Sequence, residues 1–121
     1  MRLSIIPLLV MLIALTGCVQ NKYNWNGYDK GLYEAYKDPN QIVALQIKLQ
    51  ETVDALEKEK QAVPPGMYAE LGTLYLQEGE VEKAKIYYGK ERVAWPESKT
   101  LMDVLIKNLD SRKAVLEKTK K

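Results

Sequence analysis

PGMYAELGTLYLQEGEVEKAKIYYGKERVAWP, residues 65–96 of this 121-residue chain, decides the fold. Tyr68, Leu71, Gly72 and Tyr75 fall at i, i+3, i+4 and i+7, the spacing of one helical face. Glu78-Gly79-Glu80 interrupts that pattern, and the glycine gives the backbone the freedom a tight turn needs. Ala84 and Tyr88 then recur four apart on a second face, and Pro96 closes the stretch, since proline cannot continue a helix. Two helices joined by so short a turn fold back on each other. Gly72 and Ala84 are the small residues that let them approach.

The order and spacing of Tyr68, Leu71-Gly72, Tyr75, Gly79, Ala84, Tyr88 and Pro96 resemble a tetratricopeptide repeat, a 34-residue helix–turn–helix unit. Glu91 departs from the pattern, because a small apolar residue is usual at its place. Read without the resemblance, the same residues are the core of an ordinary antiparallel helix pair, and both readings give a helical hairpin. A lone hairpin of this kind cannot bury its apolar face, so neighbouring helices are expected to cover it.

Both flanks supply such helices. Tyr28, Leu32, Tyr33 and Tyr36 predict a short helix from about Asp29 to Lys37. Asp38-Pro39-Asn40-Gln41 ends it and opens the next, with Asp38 as N-cap, Pro39 at the first helical position and Gln41 placed for a capping box. Ile42, Leu45, Leu49, Val53 and Leu56 carry an apolar stripe to about Gln61, ahead of Val63-Pro64-Pro65-Gly66. Within it, Glu57-Lys58-Glu59-Lys60 reads as a solvated helix end. Downstream, Leu101, Leu105, Leu109 and Leu116 share a face, and Ser98 is the expected N-cap. The expected architecture is all-α, a tetratricopeptide-like stack of about five helices over residues 28–110 with the repeat unit at 65–96. The tail at 111–121 carries five basic residues and one acid and is expected to fray as a solvated terminus.

The start of the chain has signal-peptide anatomy. Arg2 is followed by a nearly unbroken apolar run from Leu3 to Leu15, too short for a full bilayer crossing. Leu15-Thr16-Gly17-Cys18 resembles the bacterial lipobox, which implies cleavage between Gly17 and Cys18 and acylation of Cys18. Residues 1–17 are then a signal peptide and residues 18–27 a lipidated tether, anchored by acyl chains at about 0.8 kcal/mol per buried methylene. Val19 and Gln20 follow the cysteine. The absence of an aspartate there resembles lipoproteins sorted outward, which implies the periplasmic face of an outer membrane. A buried free cysteine at the end of an apolar helix is the alternative.

Tyr23-Asn24-Trp25-Asn26-Gly27-Tyr28, Leu32-Tyr33, Tyr36 and Asp38-Pro39 resemble the N-terminal signature of a family of small, uncharacterised proteobacterial lipoproteins, over about Tyr23 to Leu109. Family members usually place glycine directly after the tryptophan, where Asn26 intervenes here. Genes of this family often lie beside one for a lipoprotein resembling the curli-secretion channel. The resemblance therefore implies work in an envelope assembly with such a partner, and brings no catalytic residue with it.

Composition points the same way. The net charge is only +2, without the basic excess that draws proteins to nucleic acid. Histidine is absent, which removes the commonest general acid/base and metal ligand together. The one cysteine cannot form an internal disulfide or a multi-cysteine zinc site. Glu78, Glu80 and Glu82 are close in sequence, but a carboxylate pair without a sugar groove is a weak glycosidase signal. The expectation is a binding or assembly protein, not an enzyme, with no cofactor or metal and with membrane contact through its lipid. A structural or regulatory role at peptidoglycan or the membrane is the alternative. Tyr68, Tyr75 and Tyr88 read as core. Tyr23, Trp25 and Tyr28 are the candidate partner-binding residues, free to dock on a protein, a lipid surface or the domain itself.

Overall fold

The computed structural model describes residues 22–119. The expected signal peptide, Gly17, Cys18 and the last two lysines lie outside the described residues. Helix α1 spans Tyr28–Lys37, and a 3-10 turn at Pro39–Gln41 leads into α2, Ile42–Lys58. Helix α3 is Met67–Gln77 and α4 is Val81–Ala94; a second 3-10 turn at Pro96–Ser98 precedes α5, Lys99–Thr119. Among the described residues there is no strand. Over the described residues the fold is all-α with five helices, as expected.

Local chemistry sets the helix ends. Asp38 does act as a cap, its side chain accepting the Asn40 N–H at 3.0 Å. The capping box to Gln41 does not form, because the Asp38 N–H already donates to the Glu34 carbonyl and closes α1. Helix α2 stops at Lys58, short of the expected Gln61. Lys60 adopts a left-handed φ of 55°, while the Gln61 N–H donates to Leu56 and the Lys60 N–H to Glu57, the paired bonds of a Schellman cap. The same pair closes α3, from the N–H groups of Glu80 and Gly79 to the carbonyls of Tyr75 and Leu76. Here Gly79 takes the left-handed position at φ 83°, which costs glycine nothing. Ser98 is not an N-cap. Its hydroxyl turns inward to Glu91, and the 3-10 turn starts the last helix instead.

Cross-helix bonds fix the packing directions. Tyr75 bonds Gln50 and Tyr68 bonds Glu57, so seven residues forward on α2 is seven back on α3 and the two run antiparallel. Lys85 pairs with Asp110 and Arg92 with Asp103, the same relationship between α4 and α5. One buried cluster joins Leu45, Leu49, Val53 and Leu56 of α2 to Met67, Leu71 and Leu74 of α3. A second joins Ala84 and Tyr88 of α4 to Met102 and Leu109 of α5.

Within the α3–α4 hairpin, Gly72 and Ala84 are buried against Tyr88. A Cβ on Gly72 would lie 2.9 Å from a Tyr88 ring carbon, so the close approach read from the small residues is present. Tyr68 is buried with Leu71, whereas Tyr75 is only half-buried. Pro96 opens the 3-10 turn after α4.

The face of α5 differs from the expected stripe. Leu101 and Leu116 are 60% and 62% exposed, while Met102 and Leu109 are buried, with Leu105 and Ile106 packed beside them. Met102, Leu105, Ile106 and Leu109 make their own i, i+3, i+4, i+7 face. Leu101 lies a fraction of a turn off it, and Leu116 lies past the start of α4, whose first turn is already opposite Lys113. The basic stretch from Ser111 continues α5 through Thr119.

Candidate docking site at the N-terminal turn

Trp25-Asn26-Gly27-Tyr28 is a tight reversal. The Tyr28 N–H donates to the Trp25 carbonyl at 2.9 Å, and Asn26 and Gly27 both take positive φ, 47° and 71°. Positive φ at both central positions is the type I′ arrangement, for which Asn-Gly is the preferred pair. The asparagine after Trp25 thus builds the turn instead of disturbing it.

That reversal stacks the Trp25 ring on Tyr28, with centroids 6.2 Å apart. It also points Asn26 Nδ2 at Thr52 Oγ1, 2.9 Å away on α2. The Thr52 hydroxyl in turn donates a hydrogen bond to the Lys48 carbonyl, so the turn is pinned to the body of the domain. Two residues earlier, Tyr23 meets Trp95 edge-on at 5.6 Å, and Trp95 Nε1 donates to the Val63 carbonyl. Residues 22–27, read from sequence as a tether, lie docked along α2 and the end of α4.

Tyr23, Trp25 and Tyr28 come together on one open groove of ≈ 1010 Å³, completed by Asp29, Leu32 and Gln61. Tyr28 sits partly in the core, where burial and then the Glu70 carboxylate push its hydroxyl up to about 12. It therefore stays a neutral hydrogen-bonding phenol. Trp25 and Leu32 remain 36% and 42% exposed. Aromatic rings held in place by a turn, with part of each face open, are the kind of anchor that dominates protein interfaces.

Tyr68 and Tyr88 are core residues, and Tyr75 joins a polar seam that sequence reading missed. Tyr75 stacks on Tyr87 at 5.5 Å, and both hydroxyls donate to Gln50 Oε1. Next to it, Glu57 Oε1 accepts from Tyr68 and from Lys90. Burial raises the Glu57 carboxyl, but these bonds outweigh it and hold it below the usual glutamate value. Glu57 is thus more than a solvated helix end. Its only sequence signal was the position directly after Leu56.

The three carboxylates near the turn are each engaged separately: Glu78 accepts from Gln46, Glu80 faces Lys83, and Glu82 faces Lys85 and Lys113. Among the described residues no group of three His, Cys, Asp or Glu side chains is placed to hold a metal ion, and no helix is long and apolar enough to cross a membrane.

A family model described as "Domain of unknown function (DUF4810)" matches residues 22–105, and the chain belongs to that family. The match begins with the aromatic turn and ends inside α5. Comparison with curated proteins and with solved structures gives no match.

Proposed function

We propose that this DUF4810 chain is a non-catalytic assembly lipoprotein, acylated on Cys18 and held at the periplasmic face of an outer membrane, where its helical domain binds another envelope protein. The groove of Tyr23, Trp25 and Tyr28 carries the reading. Three aromatic side chains lie within six residues, Trp25 and Tyr28 fixed by an Asn-Gly turn bonded to Thr52 and Tyr23 by its contact with Trp95, yet Trp25 is left open to solvent. A segment needed only for packing gains nothing from that exposure. A preorganised aromatic edge loses little side-chain entropy on binding, which favours affinity for a partner. Lys22 lies four residues after Cys18, so the groove would sit within about 15 Å of the lipidated residue even if the chain between were extended. A partner anchored in the same membrane is therefore favoured, in keeping with a curli-secretion-channel-like lipoprotein. The tetratricopeptide-like order of Tyr68, Gly72, Gly79, Ala84 and Tyr88 supports a scaffold for protein contacts.

In-cell crosslinking and pull-down of the mature protein, with Cys18→Ser as the unanchored control, tests this. One stoichiometric envelope partner, absent from the control, is the expected result. Normal membrane localisation with no enriched partner would move the role to a structural one at the peptidoglycan or the membrane.

A further inference from the structure

The far end of the molecule carries a second surface that the aromatic groove does not explain. Glu82, in the first turn of α4, pairs with Lys113 of α5, so in that antiparallel register α5 runs past the start of α4 from about Ala114 to Thr119. Beside the overhang lies a groove of ≈ 460 Å³ lined by the apolar Leu76, Val81, Leu109 and Leu116 and by the charged Glu82, Arg112 and Lys113. Leu116 and Val115 are each 62% exposed.

We infer that this groove docks an acidic amphipathic helix of a partner protein. Three observations select that occupant. Leu116 is exposed and lies seven residues after Leu109, which is buried against α4, so the face that packs on α4 continues along the axis of α5 past its cover, which suits a helix laid beside it. Glu82 is paired with Lys85 and Lys113, and from Ser111 onward the sequence has five basic residues and one acid, so the net charge beside the groove stays basic, which attracts acidic flanks and repels basic ones. The same charge opposes a second copy, since α5 against α5 would set like charges face to face. The position of the surface opposes the bilayer. Tyr23 touches Trp95, just ahead of α5, and the 21 residues of α5 then carry the tip about 30 Å away from that end. The inference stands on the geometry and charge of α5 and needs no ligand in the aromatic groove; its exclusion of the bilayer alone rests on the proposed anchor at Cys18.

A photo-crosslinking amino acid placed at Leu116 of the full chain, in its native cell, tests it, with the captured peptide sequenced. The expected product is a segment of another protein with apolar residues at helical spacing and excess acid. Arg112→Glu should abolish that product and Arg112→Lys should keep it, with helicity by circular dichroism unchanged in both. Capture of lipid, of a second copy, or of a segment without excess acid would overturn the inference. So would no product at all, or full yield from Arg112→Glu.

Discussion

Glu91 is completely buried and reaches from α4 to the start of α3, where its Oε1 accepts the Gly66 backbone N–H at 2.8 Å across 25 residues of sequence. The same oxygen accepts the Ser98 hydroxyl at 3.1 Å. One side chain therefore ties together the entry to α3, helix α4 and the turn into α5. Its other oxygen, Oε2, is buried with no hydrogen-bond partner among the described residues. This is the position where the repeat pattern has a small apolar residue, and the departure has a structural use.

Glu91→Ala should cost about 2–4 kcal/mol, because it leaves a cavity and strips the Gly66 N–H and Ser98 hydroxyl of their acceptor. Glu91→Gln keeps an acceptor oxygen of the same reach and should stay within about 1 kcal/mol of the parent. Urea unfolding of the two variants checks both. Equal losses would show that the acceptor is not what matters.

Two glycines give opposite expectations. Gly72→Ala places a Cβ 2.9 Å from Tyr88 and 3.1 Å from the Ala84 carbonyl, and this overpacking, at about 1–3 kcal/mol, should exceed the gain in helix propensity. Gly89 is also inside a helix, but a Cβ there meets nothing within 4 Å. Gly89→Ala should stabilise the protein by up to about 1 kcal/mol. Thermal melts should move in opposite directions.

These cases also mark what could be read from sequence. Gly72, Ala84, Tyr88 and Gly79 were legible because their demands are local or periodic: a close crossing and a left-handed helix end leave their mark in residue type. The cap at Asp38 was legible for the same reason. Glu91 was visible only as a misfit, since its partner Gly66 is brought near by the whole hairpin. The face of α5 was misread because Leu101, Leu105 and Leu109 repeat as neatly as Met102, Leu105 and Leu109. Only contact with α4 decides between them. The candidate groove was half legible. Its aromatic residues stood out, but the Asn26-Gly27 turn that aims them was passed over, and Thr52, which pins it, carries no signal of its own.

Acid should affect two carboxyls in opposite ways. Burial raises the Glu70 carboxyl, so its charged form is disfavoured in the fold; any stability it gives is present below the unfolded value of about 4.3 and lost as pH rises. Glu70→Gln should therefore stabilise at pH 7, with the gain gone near pH 3. Glu57, lowered in spite of burial by its bonds to Lys90 and Tyr68, contributes above the unfolded value and loses that contribution as pH falls. Glu57→Gln should destabilise at pH 7, with the deficit closing in acid. Urea midpoints at about pH 7 and pH 3 check the signs.

The two tryptophans should separate binding from folding. Trp95 holds the Val63 carbonyl and the Tyr23 ring, so Trp95→Ala removes buried contacts and a hydrogen bond and should cost about 2–4 kcal/mol. Trp25 stacks on Tyr28 at the edge of the groove and keeps 36% of its surface open. Its truncation should leave the melting curve within about 1 kcal/mol of the parent. If the groove binds the envelope partner, Trp25→Ala should nevertheless lose crosslinking to that partner, because a tryptophan that anchors an interface often carries about 2 kcal/mol or more of binding energy. Full crosslinking by Trp25→Ala would assign the aromatic turn to packing alone.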